Sequence, residues 1–305
     1  MAQRIFKDDT MQARFDKQGF LVVPFLDEHE VKQLNDTFDA LHPQLPTGAG
    51  FVSGSYSPDA GYKQKASDEI VKVFAKHYER LFVDYQPFGA AFLFKMPSQH
   101  SELGIHQDWT IVDEDKYVAL NCWVPLTDVN ETNGALHIMP GSHYDALHTL
   151  RAPTIPFFFT GSEAEVIKAS VPMYVKAGEA VILNQSVIHY SPANRSDKIR
   201  KAITAGVKSK GAGMQFHYID KEKKDGTVEV FEMPENFLIS FKDFATDIFN
   251  RPNGQSKGFK PYTAQPLPAA EIPGVIKRMK ANAGFATAEP EAPKSIFKRI
   301  AQIFQ

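Results

Sequence analysis

Three residues of this chain have the types and spacing of a metal site. His106 and Asp108 flank Gln107, and His189 follows a strongly apolar stretch much later in the chain. Two histidines and one carboxylate bind Fe(II) on one face and leave three positions open for other ligands. A site of this kind suits oxygen chemistry, because dioxygen and a co-substrate can both reach the ion. The triad is therefore our first candidate for a functional site.

A second histidine and aspartate with the same spacing follow at His143 and Asp145. One such pair is a weak signal for a metal site, because it arises often by chance. The residues around each pair must therefore distinguish a metal site from a turn. The run Pro140-Gly141-Ser142 before His143 predicts a turn, whereas His106 lies between two predicted strands. We therefore interpret the second pair as part of a turn.

Arg200 is the candidate anchor for an acidic co-substrate. An Fe(II) enzyme that uses 2-oxoglutarate needs a cation for the distal carboxylate, and the planar fork of arginine donates two parallel hydrogen bonds. Arg200 begins the apolar run RKAITAGV, shortly after His189. If the two strands pair as a hairpin through PANRSDKI, Arg200 reaches back toward the metal. Arg195 competes for this role, but it lies in the polar turn and is expected to face water.

Two amphipathic helices are expected before these residues. Asp27 and Glu30 have the spacing of a capping box, and apolar residues then recur at helical spacing, which predicts a helix over 28–41. A second helix is expected to begin after Ser67 and to reach Leu81. Both helices are interpreted as scaffold.

Short strands are expected to dominate the rest of the chain. From Pro87 onward, runs rich in aromatic and β-branched residues alternate with turn residues; these runs are AAFLF, YVALNCWVPL, ALHIM, MYVKAG, EAVILNQSVIHY and RKAITAGV. Strands without long intervening helices are typical of an antiparallel sandwich or jelly roll. QFHYID and TVEVFEM predict a further hairpin with Asp225-Gly226 at its turn.

The composition favours a reducing compartment and gives no sign of nucleic-acid binding. The chain has 305 residues with a net charge of −2, so no excess of basic residues is available for a phosphate backbone. Cys122 is the only cysteine, which excludes a disulfide framework within one chain. MAQRIFKDDTMQARF lacks the apolar core of a signal peptide, so a cytoplasmic location is expected.

The C-terminal residues are expected to lie outside the catalytic domain. ATAEPEAP near 286–293 predicts a flexible linker, which would leave one domain over 1–285. Residues 294–305 predict an amphipathic helix with basic residues beside its apolar face. This helix could dock on a membrane surface, or it could pack on the domain or on a second subunit.

These residues together resemble the phytanoyl-CoA dioxygenase family of Fe(II)- and 2-oxoglutarate-dependent oxygenases. The similarity runs through FDKQGFLVVPFLDEHEVKQL, HQD, CWVPLTDVNETNGALHIMPGSH and GEAVILNQSVIHYSPANRSDKIR, from about Phe15 to Val207. NETNGALHIMPGSH is its most specific part.

The resemblance implies a mainly β protein with flanking helices, whose core is a double-stranded β-helix, that is, a cupin-like jelly roll. It also implies Fe(II) held by His106, Asp108 and His189, with the 2-oxoglutarate carboxylate held by Arg200. Ser191 matches a hydroxyl that assists this arginine, and the co-substrate pocket is implied to include Trp123 as well. Lys95 matches a frequent family lysine to which no role is assigned.

The implied activity is a dioxygenase that hydroxylates a small-molecule or lipid-like substrate and converts 2-oxoglutarate and dioxygen to succinate and carbon dioxide. Asp108 favours hydroxylation, since the halogenases of the family have a small residue at this position. Two alternatives remain, namely a non-catalytic jelly-roll binding protein and another cupin-type metalloenzyme. The loop TGAGFVSGSYSPDAGYKQK and the segment KSKGAGMQFHYIDKEKKDGTVEVFEMPENFLISF after Val207 are candidates for a lid or substrate wall.

Overall fold

The computed structural model describes residues 3–46, 48, 50–144, 149–223, 225–263 and 266–285. Asp145, the predicted linker over 286–293 and the predicted helix over 294–305 lie outside these residues.

Helices lie mainly at the two ends of the described chain. They are α1 (Asp9–Gln18), α2 (Glu28–Leu41), α3 (Ala60–Leu81), α4 (Glu163–Ala169), α5 (Phe244–Asp247) and α6 (Ile272–Asn282). The capping box predicted for α2 is present, with Asp27 accepting from the Glu30 N–H and Glu30 accepting from the Asp27 N–H. Among the described residues, no helix combines the length and the apolar character that crossing a bilayer requires.

Strands make up the centre of the protein. They are β1 (Phe20–Pro24), β2 (Phe51–Ser53), β3 (Tyr85–Lys95), β4 (Leu103–His106), β5 (Leu120–Pro125), β6 (Leu136–Ile138), β7 (Val171–Met173), β8 (Glu179–Asn184), β9 (His189–Ser191), β10 (Arg200–Ser209), β11 (Met214–Tyr218), β12 (Thr227–Met233) and β13 (Gln255–Pro261).

Two antiparallel sheets form a jelly roll. The large sheet has the order β1-β8-β5-β10-β3-β2, and the small sheet has the order β4-β9-β6-β7. From β3 to β10 the chain passes repeatedly between the two sheets, with only β6 and β7 following each other in the same sheet. This alternation is the double-stranded β-helix, so the predicted fold class is confirmed. The remaining strands form a separate sheet of order β11-β12-β13 and include the predicted hairpin.

The two sheets pack face to face around an apolar interior. Leu93, Trp123 and Leu183 of the large sheet belong to the same buried cluster as Leu136 and Ile138 of the small sheet. Because successive side chains of a strand point to opposite faces, the other side of the large sheet is also apolar, and α2 and α3 cover it. The large sheet is thereby fixed on one face, and its inner face is available to build a site.

The strands that carry His189 and Arg200 do not pair, which corrects the predicted hairpin. β9 pairs with β4 and β6 in the small sheet, whereas β10 pairs with β3 and β5 in the large sheet. The segment between them crosses from one sheet to the other. Asn194 holds this crossing in place, because its amide donates to the carbonyls of Lys95 and Lys198.

Two further expectations about elements were wrong in their bounds. The helix predicted to begin after Ser67 begins at Ala60, because Asp59 caps it by accepting from the Tyr62 N–H. The run MYVKAG is not a strand beyond Met173. It turns toward β8 instead, and Gly178 adopts a φ of 86° in this turn, where a side chain would meet the Leu26 carbonyl.

Candidate active site

The three predicted metal ligands meet inside the jelly roll. His106 ends β4 and His189 begins β9, so the pairing of these two strands places the histidines opposite each other. Asp108 lies in the loop just after β4. One ligand atom from each residue lies within 4.8 Å of the others. Asp145, the acid of the second H-x-D, lies outside the described residues, and His143 contacts the carbonyl of Asp16 in helix α1.

Both histidines direct Nε2 toward the place where the three predicted ligands meet. Nδ1 of His106 lies 2.7 Å from the Gly104 carbonyl, and Nδ1 of His189 lies 3.0 Å from the Val187 carbonyl. Since a carbonyl only accepts, each Nδ1 carries the proton and each Nε2 keeps its lone pair for a ligand. Burial, together with the neighbouring His189, lowers the pKa of His106, which favours the neutral ring that a metal needs.

Asp108 is oriented by its neighbours so that one oxygen faces the histidines. Its Oδ1 lies 4.0 Å from Nε2 of His106 and 3.9 Å from Nε2 of His189. Two ligand atoms on one face of an ion, each about 2.1 Å from it, lie about 3.0 Å apart, so these side chains would close by about 1 Å to bind an ion. Asp108 Oδ2 accepts from the Asn121 amide at 3.1 Å. The hydroxyl of Thr204 donates to Asn121 Oδ1 at 2.7 Å, which turns the amide N–H toward the carboxylate.

Arg200 is a buried cation with unused hydrogen-bonding capacity. It is 2% exposed and lies over the ring of Trp123, 5.4 Å from the ring centroid. Nη2 makes a long contact of 3.4 Å with the Gly134 carbonyl, whereas Nε and Nη1 have no partner among the described residues. Burial lowers the pKa of Arg200 to about 10, so the group stays charged at neutral pH. A buried charge of this kind needs an anion, and a carboxylate fits the fork.

Ser191 and Trp123, the two other predicted pocket residues, line the same cavity as Arg200 and the triad. Lys95 is fully buried behind them, and its Nζ donates to the backbone carbonyls of Ser101, Ser191 and Pro192. Lys95 therefore ties the end of β9 to β3. Arg195, the competing anchor, is exposed, as its place in the turn predicts.

These residues surround a cavity of about 420 Å³. The inner face of the large sheet forms its floor. Small residues on this face, such as Gly89, Ala91 and Gly206, leave space for the cavity. The early loop and the predicted segment after Val207 contribute to its walls, the latter through Leu238 and Ile239, as expected from the sequence. The segment that contains α5, which was not expected to do so, also lines the cavity. The donor set and the unpaired guanidinium therefore share one space, which fits an ion together with a dicarboxylic acid.

Several polar residues of this cavity were not predicted from the sequence, among them Asn121, Gln185 and Thr204. A signal for two of them exists. In RKAITAGV, Thr204 lies on the same strand face as Arg200, and in YVALNCWVPL, Asn121 lies on the same face as Trp123. A polar side chain that shares a face with a predicted site residue in an apolar strand is thus a candidate for the site.

Comparison with known proteins identifies the family. The family model described as "Phytanoyl-CoA dioxygenase (PhyH)" matches residues 15–202, which include all four proposed site residues. The chain belongs to the phytanoyl-CoA dioxygenase family. The resemblance inferred from the sequence is thereby confirmed.

Relatives within the phytanoyl-CoA dioxygenase family are moderately similar. "Phytanoyl-CoA dioxygenase domain-containing protein 1" of Danio rerio is 32% identical over 231 residues, 73% of this chain and 66% of the relative. "Phytanoyl-CoA dioxygenase 1" of Oryza sativa subsp. japonica is 33% identical over 118 residues, 38% of this chain and 42% of the relative. The matches thus span less than two thirds of these relatives.

A solved structure with a distant likeness to this chain is EvdO2 from Micromonospora carbonacea var. aurantiaca, complexed with 2-oxoglutarate. It is 18% identical, and the match covers 68% of this chain and 94% of EvdO2 with a TM-score of 0.48.

Proposed function

We propose that this protein is an Fe(II)- and 2-oxoglutarate-dependent dioxygenase that hydroxylates a small-molecule or lipid-like substrate. The observation that carries the proposal is the meeting of the His106, Asp108 and His189 donor atoms with a buried Arg200 in one cavity. Membership of the phytanoyl-CoA dioxygenase family supports the same chemistry.

Each residue of the site has a role that its contacts support. His106, Asp108 and His189 would hold the ion, and the guanidinium of Arg200 would bind the distal carboxylate of 2-oxoglutarate through Nε and Nη1. Ser191 would assist this carboxylate, and Trp123 would form the apolar side of its pocket. Asn121 holds the carboxylate of Asp108 with one oxygen toward the histidines, which limits the reorganisation that ion binding requires.

The ion with 2-oxoglutarate and dioxygen supplies the oxidising power when bound, and succinate and carbon dioxide leave as products. The protein holds the substrate beside the ion and excludes water. Apolar and aromatic side chains surround the cavity beyond the triad, which favours a substrate with a largely apolar skeleton. A non-catalytic binding protein would have no use for a complete donor set with an unpaired buried arginine.

The experiment that tests this function is succinate formation with Fe(II), dioxygen and 2-oxoglutarate across a panel of apolar substrates. We expect turnover in the natural protein and none in His106→Ala, Asp108→Ala or His189→Ala, each with the fold retained by circular dichroism. His143→Ala is the matched control and should remain active. Full activity in any triad variant would contradict the assignment of that ligand.

A further inference from the structure

The cavity wall next to the metal ligands is a stack of aromatic rings from three distant segments. Phe244 of α5 stacks on Tyr56 at 4.2 Å between ring centroids and on Trp109 at 5.8 Å with an interplanar angle of 5°. Trp109 directly follows Asp108 in the chain. A substrate that approaches the triad therefore lies against aromatic surface, which favours apolar and ring-containing molecules.

This wall exposes little positive charge to a substrate. Apart from the triad and Arg200, the charged side chain among the described lining residues is Lys63. Lys63 is 4% exposed, and its Nζ already donates to the Phe241 carbonyl at 2.5 Å. The ammonium of Lys63 is almost fully covered, and burial lowers its pKa, so an anionic group would be desolvated next to aromatic rings with little contact to a counter-charge. The cavity favours an uncharged substrate.

One neutral polar group in this cavity lacks a partner. Gln185 follows β8, its side chain is buried at 6% exposure, and it lines the cavity. Its backbone N–H donates to the Ala119 carbonyl, but its side-chain Oε1 accepts from no donor within the described part of the chain. Leaving a buried acceptor unpaired costs about 1–3 kcal/mol, a cost that a ligand donor would remove.

Several other polar side chains nearby already have partners. Thr204 donates to Asn121, Asn121 donates to Asp108, and the Gln107 amide donates to the Ser186 carbonyl. The hydroxyl of Ser67 accepts from the Ala90 N–H. Among the described residues that line the cavity, Gln185 thus provides the buried neutral acceptor without a partner.

We propose that Gln185 recognises the primary substrate, and that this substrate is an uncharged, largely apolar molecule carrying a hydroxyl or N–H group that donates to Gln185 Oε1. The inference rests on the proposed function for the position of the substrate beside the ion. It adds the chemical class of the substrate and the residue that selects it.

Three probes with one ring system and different substituents test this recognition. Calorimetry under anaerobic conditions, with Fe(II) and 2-oxoglutarate bound, measures the affinities of 2-naphthol, 2-methylnaphthalene and 2-naphthoate. We expect 2-naphthol to bind about 5- to 10-fold more tightly than 2-methylnaphthalene, the range of one net hydrogen bond, and 2-naphthoate to bind most weakly.

Gln185→Met keeps the length of the side chain and removes the acceptor. We expect it to bind 2-naphthol and 2-methylnaphthalene equally well, with unchanged 2-oxoglutarate affinity as evidence that it folds. Gln33→Met, on the exposed surface of α2, is the control and should keep the preference of the natural protein.

Several results would overturn the inference. These are tighter binding of 2-naphthoate than of 2-naphthol, an unchanged preference in Gln185→Met, or no binding of any probe while 2-oxoglutarate binds normally. Failure of Fe(II) and 2-oxoglutarate to bind would instead contradict the proposed function. In that case, probe selectivity measured without them still decides whether Gln185 recognises a donor.

Discussion

Arg200 is the residue whose surroundings most clearly require a ligand. Its charge is buried over Trp123, and two of its three nitrogens face no acceptor among the described residues. Burying an unpaired charge raises the free energy of the folded protein, and a bound carboxylate offsets this cost. The arrangement of the guanidinium donors should therefore matter for carboxylate binding as much as the positive charge does.

Replacing Arg200 with lysine keeps the charge but removes the fork. We expect Arg200→Lys to weaken 2-oxoglutarate binding by roughly 1.5–3 kcal/mol, the scale of one hydrogen bond to a charged group. Calorimetry of the Fe(II)-loaded protein without dioxygen measures this loss. Arg195→Ala is the control, since Arg195 is exposed, and it should bind as the natural protein does. The reverse pattern would move the anchor to Arg195.

The site residues could be predicted from the sequence to different degrees. His106, Asp108 and His189 have a distinctive set of types, and Arg200 has a charge at the start of an apolar strand. Gln185 gave no such signal, because a glutamine after a strand is ordinary in a turn. Its significance comes from the cavity that distant segments build around it, which no local pattern contains.

At the scale of elements, local interactions decided which predictions succeeded. The capping box of α2 lies within four residues, and the DG turn between β11 and β12 is equally local. Whether β9 and β10 pair depends instead on which sheet each strand joins, and the two strands join different sheets. Only the crossing held by Asn194 and Lys95 determines this, so proximity in sequence was misleading.

The β11 strand of the hairpin carries a buried histidine that should make stability depend on pH. Nδ1 of His217 donates to the Thr110 carbonyl at 3.1 Å, and burial lowers the pKa of His217 to about 4. The pKa in the unfolded chain is about 6.5, so the unfolded state binds more protons between these values. Stability is therefore lost as the pH falls through this window.

A variant with glutamine at this position tests the effect. In the metal-free protein we expect the natural chain to lose about 2 kcal/mol more unfolding free energy than His217→Gln between about pH 7 and about pH 5. Urea denaturation at the two pH values measures both differences. Equal losses in the two proteins would show that His217 titrates normally in the fold.

At the scale of the whole molecule, α6 closes the jelly roll. Its Ile272, Val275 and Met279 are buried in a cluster with Met139 and Ile188, the residue that precedes His189. The apolar spacing of this helix was not recognised in the sequence, where the Pro- and Ala-rich composition beyond Pro261 was more prominent. The catalytic unit therefore includes α6.

Two truncations distinguish this packed helix from the residues that follow it. Deleting residues 294–305 should leave turnover of 2-oxoglutarate with a soluble substrate nearly unchanged, as the predicted linker implies. Deleting residues 272–305 should destabilise the fold by several kcal/mol, since burial of each large apolar side chain contributes about 1.5–3 kcal/mol. Thermal denaturation and succinate formation measure the two effects.

The shorter deletion also tests the role predicted for the terminal helix. Loss of liposome co-sedimentation would support a membrane contact, and loss of an oligomer would support a subunit contact. Loss of Fe(II) or 2-oxoglutarate binding would show instead that the predicted linker does not separate this segment from the catalytic domain.

The central claim is that the triad and Arg200 form one site for Fe(II) and 2-oxoglutarate together. Visible absorption during an anaerobic titration tests it most directly, because a charge-transfer band arises when 2-oxoglutarate binds to the ion itself. We predict a band that needs both components, is absent in His189→Ala and is retained in His143→Ala. Binding of 2-oxoglutarate without this band, or a band that survives in His189→Ala, would contradict the account.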